Sequence, residues 1–333
     1  MQLTIRQPDD FHIHLRQDAS LPLFARDCLP WFGRVLVMPN TLPPLNTPDT
    51  LTAYKHALIK AAPELLPLLT FKISTHLTPQ DVYALKAAGA YAGKIYPEGV
   101  TTHSEDGVSS VKALEPILSA LEDSNLVLCV HAEQPGAFSL DREAAYLPQV
   151  EWILQKFPKL RVVLEHISDA RSAKMVAQGP VQLAATLTVH HLALTLDDVI
   201  GGFLSPHHFC KPIPKRPQDL QALWDLVAQK HPRVFLGTDS APHARGKKEC
   251  AQGCAGVYSA PVAIPLLAQL FEEKNLLPHL ENFTSVYGAQ FYQLPLNSKY
   301  IQLKNEPWEI PQEIHGCVPF RAGLTCNWKL FTQ

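Results

Sequence analysis

The sequence has no apolar run long enough to span a bilayer, and its opening, Met1-Gln2-Leu3-Thr4-Ile5-Arg6, lacks the apolar core of a signal peptide. No membrane partner is expected, and the cytoplasm is the expected location. Positive charge is not in excess: 29 Lys and Arg against 31 Asp and Glu give a net charge of −2, which argues against the basic surface of a nucleic-acid-binding chain. Cysteine is sparse and odd in number, seven without a regular framework, as expected for reduced thiols rather than a disulfide scaffold. Cys250-Ala251-Gln252-Gly253-Cys254 has a spacing that could hold a metal, but an isolated loop pair of this kind reads as two free thiols. No G-x-G-x-x-G or Walker-type turn is present, so a nucleotide-binding open sheet lacks its usual signature. No internal repeat, low-complexity stretch or linker divides the chain, and residues 1–333 are expected to form one domain.

What is present is a globular balance, 46% hydrophobic and 18% charged, over a length of 333 residues that suits one α/β barrel with insertions. Short β-rich runs fall at 11–15, 34–38, 69–73, 92–96, 126–130, 161–164, 181–185 and 234–236. Between most of them lie helical segments, at 50–62, 79–88, 109–121, 142–156 and 217–229, with two more at 261–274 and 280–290. Strand–helix alternation predicts a parallel sheet, and eight units predict its closure: an α/β fold, a TIM-type (β/α)8 barrel with a short C-terminal extension over 300–333.

The chemistry gathers at the carboxyl ends of these strands, where barrel enzymes keep it. In His12-Ile13-His14-Leu15-Arg16 the period of two puts both imidazoles on one face, with Phe11, Ile13 and Leu15 on the other. If the imidazole face looks into the barrel, both can bind one metal through nitrogen. The fourth strand ends in Lys94-Ile95-Tyr96-Pro97, the fifth in Val130-His131-Ala132-Glu133, the sixth in Leu164-Glu165-His166 and the eighth in Gly237-Thr238-Asp239. Each residue alone has an ordinary structural explanation, a rim histidine or a helix-capping aspartate. Their coincidence at ends that barrel closure would bring together points to a metal site. Lys94 fits only in altered form, because an ammonium beside divalent cations is electrostatically untenable. Reaction with carbon dioxide would turn it into a carbamate anion able to bridge two metal ions.

The blocks Pro8-Asp9-Asp10-Phe11-His12-Ile13-His14-Leu15-Arg16, Val37-Met38-Pro39-Asn40, Lys94-Ile95-Tyr96-Pro97, Thr101-Thr102, Val130-His131-Ala132-Glu133, Glu165-His166-Ile167 and Gly237-Thr238-Asp239-Ser240-Ala241-Pro242-His243-Ala244-Arg245 resemble the dihydroorotases of the compact bacterial (class II) type in the amidohydrolase superfamily. They run from residue 8 to about Phe291, and the last block is the most specific. The resemblance implies two zinc ions per subunit, His12, His14 and Asp239 on the more buried one and His131 and His166 on the second, bridged by Lys94 as N6-carboxylysine and by a hydroxide. It implies N-carbamoyl-L-aspartate and L-dihydroorotate as substrates of a hydrolase of pyrimidine (UMP) biosynthesis, and a homodimer. It assigns Arg16, Asn40 and His243 to substrate, with the metal ligands His14 and His131 also facing it and backbone help at Lys211 and Ala255. Thr101 and Thr102, in the segment 99–107, would close over substrate as a loop, and Asp239 would be the catalytic proton carrier.

These roles suit the chemistry. A guanidinium two residues beyond His14 can clamp a substrate carboxylate bidentately. A two-metal site supplies a nucleophile at neutral pH and polarises the ring amide. Lys211 stands where the family pattern leads one to expect an apolar residue. His190-His191 and His207-His208 are ligands by type, ranked as loop residues that shape the pocket, and His103 falls in the 99–107 segment. Three other readings compete: another cyclic amidohydrolase such as a hydantoinase or allantoinase, a non-catalytic barrel scaffold, and a one-metal deaminase. The acid-binding set Arg16, Asn40 and His243 argues against the first, the complete ligand set against the second, and Lys94 against the third.

Overall fold

The computed structural model describes residues 1–99, 107–108 and 110–331. After β1 (Gln2–Arg6) come β2 (Asp9–Ile13), β3 (Arg34–Val37), β4 (Leu66–Lys72), β5 (Ala90–Ile95), β6 (Val127–Val130), β7 (Arg161–Leu164), β8 (Leu183–Leu187) and β9 (Val234–Leu236). β2 to β9 form one eight-stranded sheet in sequence order, every neighbouring pair parallel. Closure is made between its first and last strands: Ile13 and Ser240 form a parallel bridge, Asp239 N donates to His12 O over 2.8 Å, and His14 N donates to Ser240 O over 3.0 Å. This is the (β/α)8 barrel expected from the alternation, and among the described residues no helix is long and apolar enough to cross a membrane.

The strands alternate as a two-sided sheet requires. Leu128, Val130, Val162 and Leu164 join the outer core shared with the helices, whereas Val127, Cys129, Val163, Leu36, Met38, Leu68, Ala92, Ala184 and Phe235 fill the barrel. Phe11 departs from the expected alternation. It belongs to the inner cluster, stacked on Tyr292 with ring centroids 4.8 Å apart, instead of sharing the outer face with Ile13 and Leu15. The β2–β3 register shifts between Asp10 and Ile13, so the strict period of two fails there.

The crossover helices start where the sequence offers caps. Thr47 and Thr78 form reciprocal capping boxes with Thr50 and Asp81 at the heads of the helices Pro48–Ala61 and Pro79–Ala87. Proline at the first position of each lacks only a donor that a helix start cannot use. Leu51, Tyr54, Leu58 and Ala61 then recur every three or four residues on the buried face.

Some bounds differ from expectation. The seventh barrel strand is β8, two residues later than 181–185, because Val181 is 83% exposed in the turn after Ala170–Gln178. The stretch expected to be helical at 109–121 splits into a 3-10 turn, Val111–Leu114, and the helix Glu115–Asp123. The helices Leu21–Cys28 and Ala170–Gln178 were not foreseen. The C-terminal extension forms a sheet of its own with the first strand: β10 (Tyr300–Glu309) pairs antiparallel with both β1 and β11 (Thr325–Leu330). Trp328 on β11 donates to Glu272 Oε2 over 2.7 Å, tying that sheet to the helix Ala263–Glu273.

Candidate active site

Barrel closure sets the site. Because Asp239 N bonds to His12 O, the residues after β9 lie directly against those of β2. A Cβ at Gly237 would fall 2.8 Å from His12 Cβ, so only glycine permits this approach. Asp10 fastens the junction, its carboxylate accepting from Thr238 N (2.8 Å), Thr238 Oγ1 (2.6 Å) and His12 N (3.1 Å). Asp239 Oδ1 then stands 3.4 Å from His12 Nε2 and 3.1 Å from His14 Nε2. Asp239 and His166 both hold left-handed backbone, φ 47° and 42°. That conformation is costly for non-glycine residues, and the surrounding bonds impose it.

A line of four imidazoles crosses the barrel mouth. Ring centroids are 5.3 Å apart from His14 to His12, 4.9 Å from His12 to His166, and 4.8 Å from His166 to His131. His12 Nδ1 donates to Glu165 Oε2 at 2.8 Å, and His131 Nε2 donates to Glu133 Oε2 at 2.7 Å. Each carboxylate fixes a tautomer and leaves the other ring nitrogen a lone pair. His131 Nδ1 lies 3.2 Å from His166 Nε2, whereas His12 Nε2 and His166 Nδ1 have no hydrogen-bond partner among the described residues.

Burial lowers the pKa of His12 and His166 below the ordinary value. Burial alone would raise Glu165 and Asp239, but the His12 charge and hydrogen bond outweigh it at Glu165. At Asp239 the His14 hydrogen bond and the His12 and His14 charges do the same, so both carboxyls stay below the ordinary range. Lys94 is fully buried, its Nζ has no hydrogen-bond partner among the described residues, and burial lowers its pKa. The amine sits 5.2 Å from the centre of the Tyr96 ring.

The donor set fits a metal. Tetrahedral zinc with ligands at roughly 2.0–2.1 Å separates its donor atoms by about 3.3 Å. The 3.4, 3.1 and 3.2 Å spacings here match, and His12, His14 and Asp239 offer atoms all within 4.8 Å of one another.

The cavity above is lined by His12, His14, Arg16, Asn40, Tyr96, His131, His166, Lys211, Asp239, His243 and Ala255, which brings together nearly every residue singled out from the sequence. Lys94 is not among its lining residues. Arg16 donates through Nη1 to the Pro242 carbonyl, and its Nη2 lies 3.0 Å from His243 Nε2 and 3.5 Å from Nδ1. His243 Nε2 also lies 3.0 Å from the Ala255 carbonyl oxygen, and in the tautomer that donates there Nδ1 keeps the lone pair. Burial, then the Arg16 charge, pushes the His243 ring down to about 3, so it is neutral. Tyr96 OH donates to Asn40 Oδ1 at 3.0 Å. Thr101, Thr102 and His103 lie outside the described residues.

His207 and His208 are on the periphery, engaged by Glu249 (2.8 Å) and the Asp198 carbonyl (2.9 Å). His190 and His191 lie in the turn just beyond β8, as expected of loop residues, but both are buried and neither is among the residues lining the cavity. Glu133, Glu165 and Asp10 stand inside the sequence motifs, but their roles appear only in the folded site. A carboxylate one or two positions from a candidate ligand histidine was the signal available.

A barrel with this convergence of imidazoles, carboxylates and a buried lysine at its carboxyl-end mouth defines a hydrolase of the amidohydrolase class. No family model matches the chain. Among curated proteins, the dihydroorotase of Marinobacter nauticus is 43% identical, covering 99% of each chain, and that of Teredinibacter turnerae is 40% identical, covering 98% of each. Among solved structures, the Saccharomyces cerevisiae dihydroorotase complexed with 5-fluoroorotic acid superposes with a TM-score of 0.92 at 35% identity, covering 99% of this chain and 98% of that one. An L-hydantoinase from Arthrobacter aurescens, at TM-score 0.84 and 16% identity, covering 99% of this chain and 83% of that one, shares the fold alone. The chain belongs to the dihydroorotase family of cyclic-amide hydrolases.

Proposed function

We propose that the chain carries out its family's reaction, the reversible cyclisation of N-carbamoyl-L-aspartate to L-dihydroorotate in pyrimidine biosynthesis, at a binuclear zinc centre. His12, His14 and Asp239 would hold one ion and His131 and His166 the other, with Lys94 as N6-carboxylysine between them. The observation that carries this reading is the line of four imidazoles, spaced for ligation, together with the buried Lys94, whose Nζ has no hydrogen-bond partner among the described residues. Burial lowers the Lys94 pKa, which favours the free amine that adds to carbon dioxide, and the carbamate replaces that amine with an anion. Bound zinc supplies a water acidified toward neutral pH and polarises the ring amide carbonyl.

The chain's own residues do the rest. Arg16 clamps the substrate carboxylate, with His243 and Asn40 adding directional hydrogen bonds and the backbone at Lys211 and Ala255 bounding the ring. In ring opening, water oxygen bonds to the amide carbon and the carbon–nitrogen bond breaks. Asp239 takes the water's proton on a carboxylate oxygen and delivers it to the departing nitrogen. Closure reverses each transfer. We further propose that residues 1–333 act as one domain, since Gln7 N bonds to Lys299 O at 2.9 Å where barrel and C-terminal sheet adjoin. A homodimer in the cytoplasm is the setting proposed, the latter supported by seven cysteines that are all free.

The test is metal analysis alongside dihydroorotate hydrolysis by the purified protein. Full metal occupancy without hydrolysis would overturn the assignment in favour of another cyclic amide.

A further inference from the structure

The end of β8 carries a second donor cluster that the mechanism leaves unused. His190 and His191 leave the seventh barrel strand, and Cys210 comes back beside them immediately before Lys211. All three are buried, and both ring nitrogens of the fully buried His190 have no hydrogen-bond partner among the described residues. An imidazole removed from water with neither nitrogen satisfied is an arrangement that folded chains rarely keep without a bound group.

The geometry around it is that of a ligand set. His190, His191 and Cys210 offer one donor atom each, all within 4.8 Å of one another. His191 Nε2 stands 3.7 Å from Cys210 Sγ, and nitrogen and sulfur ligands on a tetrahedral zinc ion lie about 3.5 Å apart. The Pro212 carbonyl oxygen adjoins both, 2.9 Å from His191 Nε2 and 3.3 Å from Cys210 Sγ. His191 Nδ1 faces Thr188 Oγ1 at 3.0 Å, and in the tautomer that donates there Nε2 keeps the lone pair a metal needs.

We propose that His190, His191 and Cys210, with the Pro212 carbonyl, bind a third cation of the zinc class at a site separate from the His12–His14–Asp239 group. The plain alternative has the thiol and His191 both donating to the Pro212 carbonyl with no ion involved. It accounts for Cys210 and His191, but leaves both nitrogens of His190 without a partner among the described residues, one of which a bound cation would engage. Burial holds the Cys210 thiol well above its ordinary range, so without a cation it stays protonated; binding replaces that one proton, and the thiolate offsets part of the ion's charge. The site also ties the segment bearing Lys211, at the cavity wall, to the end of β8.

Cobalt substitution of the whole enzyme tests this independently of the catalytic metals, because the catalytic set offers only nitrogen and oxygen donors and gives no thiolate-to-cobalt charge-transfer absorption. The expected result is about three Co2+ per chain with a near-ultraviolet charge-transfer band. Cys210→Ser should lose that band and about one ion while keeping the others, and Cys254→Ser should keep both band and ion. His190→Gln serves as the second variant should Cys210→Ser misfold, and it should bind the third ion at least tenfold more weakly. Absence of the band in the parent overturns the proposal. So does a band that survives Cys210→Ser but disappears with Cys250→Ser or Cys254→Ser. A weaker catalytic centre would lower the total ion count without removing the band.

Discussion

Glu165 Oε2 accepts the Nδ1 proton of His12 across 2.8 Å, and Thr186 Oγ1 donates to the same oxygen from 2.7 Å. The paired bonds hold His12 in the one tautomer whose Nε2 can act as a ligand beside Asp239. Glu165→Gln keeps the shape but loses the charge, so zinc retention against a chelator and kcat/KM should each fall about 10–100-fold. Zinc retention equal to the parent's would leave Glu165 with a packing role only.

Asp239 has two proposed duties, ligand and proton carrier. An amide can perform the first weakly and the second not at all. Asp239→Asn should keep the fold, much of its zinc and dihydroorotate binding, yet lose turnover by several orders of magnitude in both directions. A variant that lost one direction only, or kept more than about a tenth of parental kcat, would reduce Asp239 to a structural ligand.

Lys94→Ala removes the group proposed to sit between the ions. Metal content should drop from about two ions to one or fewer and activity should vanish, with partial rescue by small carboxylic acids that replace the carbamate. Unchanged stoichiometry, measured with the His190 cluster disabled by Cys210→Ser, would defeat the bridge.

Arg16 spreads two edges of its guanidinium between the Pro242 carbonyl and His243, a posture that fixes the plane offered to substrate. Arg16→Ala should raise KM far more than it changes metal content. Arg16→Lys should recover only part of the loss, because a point charge cannot replace the planar fork. Full recovery by lysine would rule out a bidentate clamp.

His243 gives a pH test with a definite sign. Its folded pKa is depressed from 6.5 to about 3, so between these values the unfolded chain binds the proton and the folded one does not. Stability therefore rises with pH through this window and is lost as pH falls from 6.5 toward 3. The urea midpoint should drop more between pH 6.5 and about pH 4.5 in the parent than in His243→Asn. Equal drops would mean that the ring titrates alike in both states.

Local chemistry made much of this legible along the chain. A period of two in the strands, caps such as Thr47 and Thr78, and histidines or carboxylates one residue past an apolar run all depend on neighbours in sequence. From these came the eight barrel strands, most of the crossover helices and the candidate metal ligands, whereas Arg16, Asn40, Lys211, His243 and Ala255 at the cavity came from the family resemblance. Tertiary structure decided the rest. The Ile13–Ser240 bridge brings Asp239 to His12 across more than two hundred residues, and no local pattern encodes that register. The shift between Asp10 and Ile13 turns Phe11 inward. β1 finds its partner only when β10 returns from the far end of the chain. Glu165 and Glu133 read as ordinary acidic residues until burial leaves each with a histidine nitrogen as its neighbour. His190, His191 and Cys210 look like scattered residues until the segment before Lys211 folds back over β8. Periodicity and capping are energies between near neighbours, whereas a donor set is defined by strand closure and burial, which bring together side chains distant in sequence.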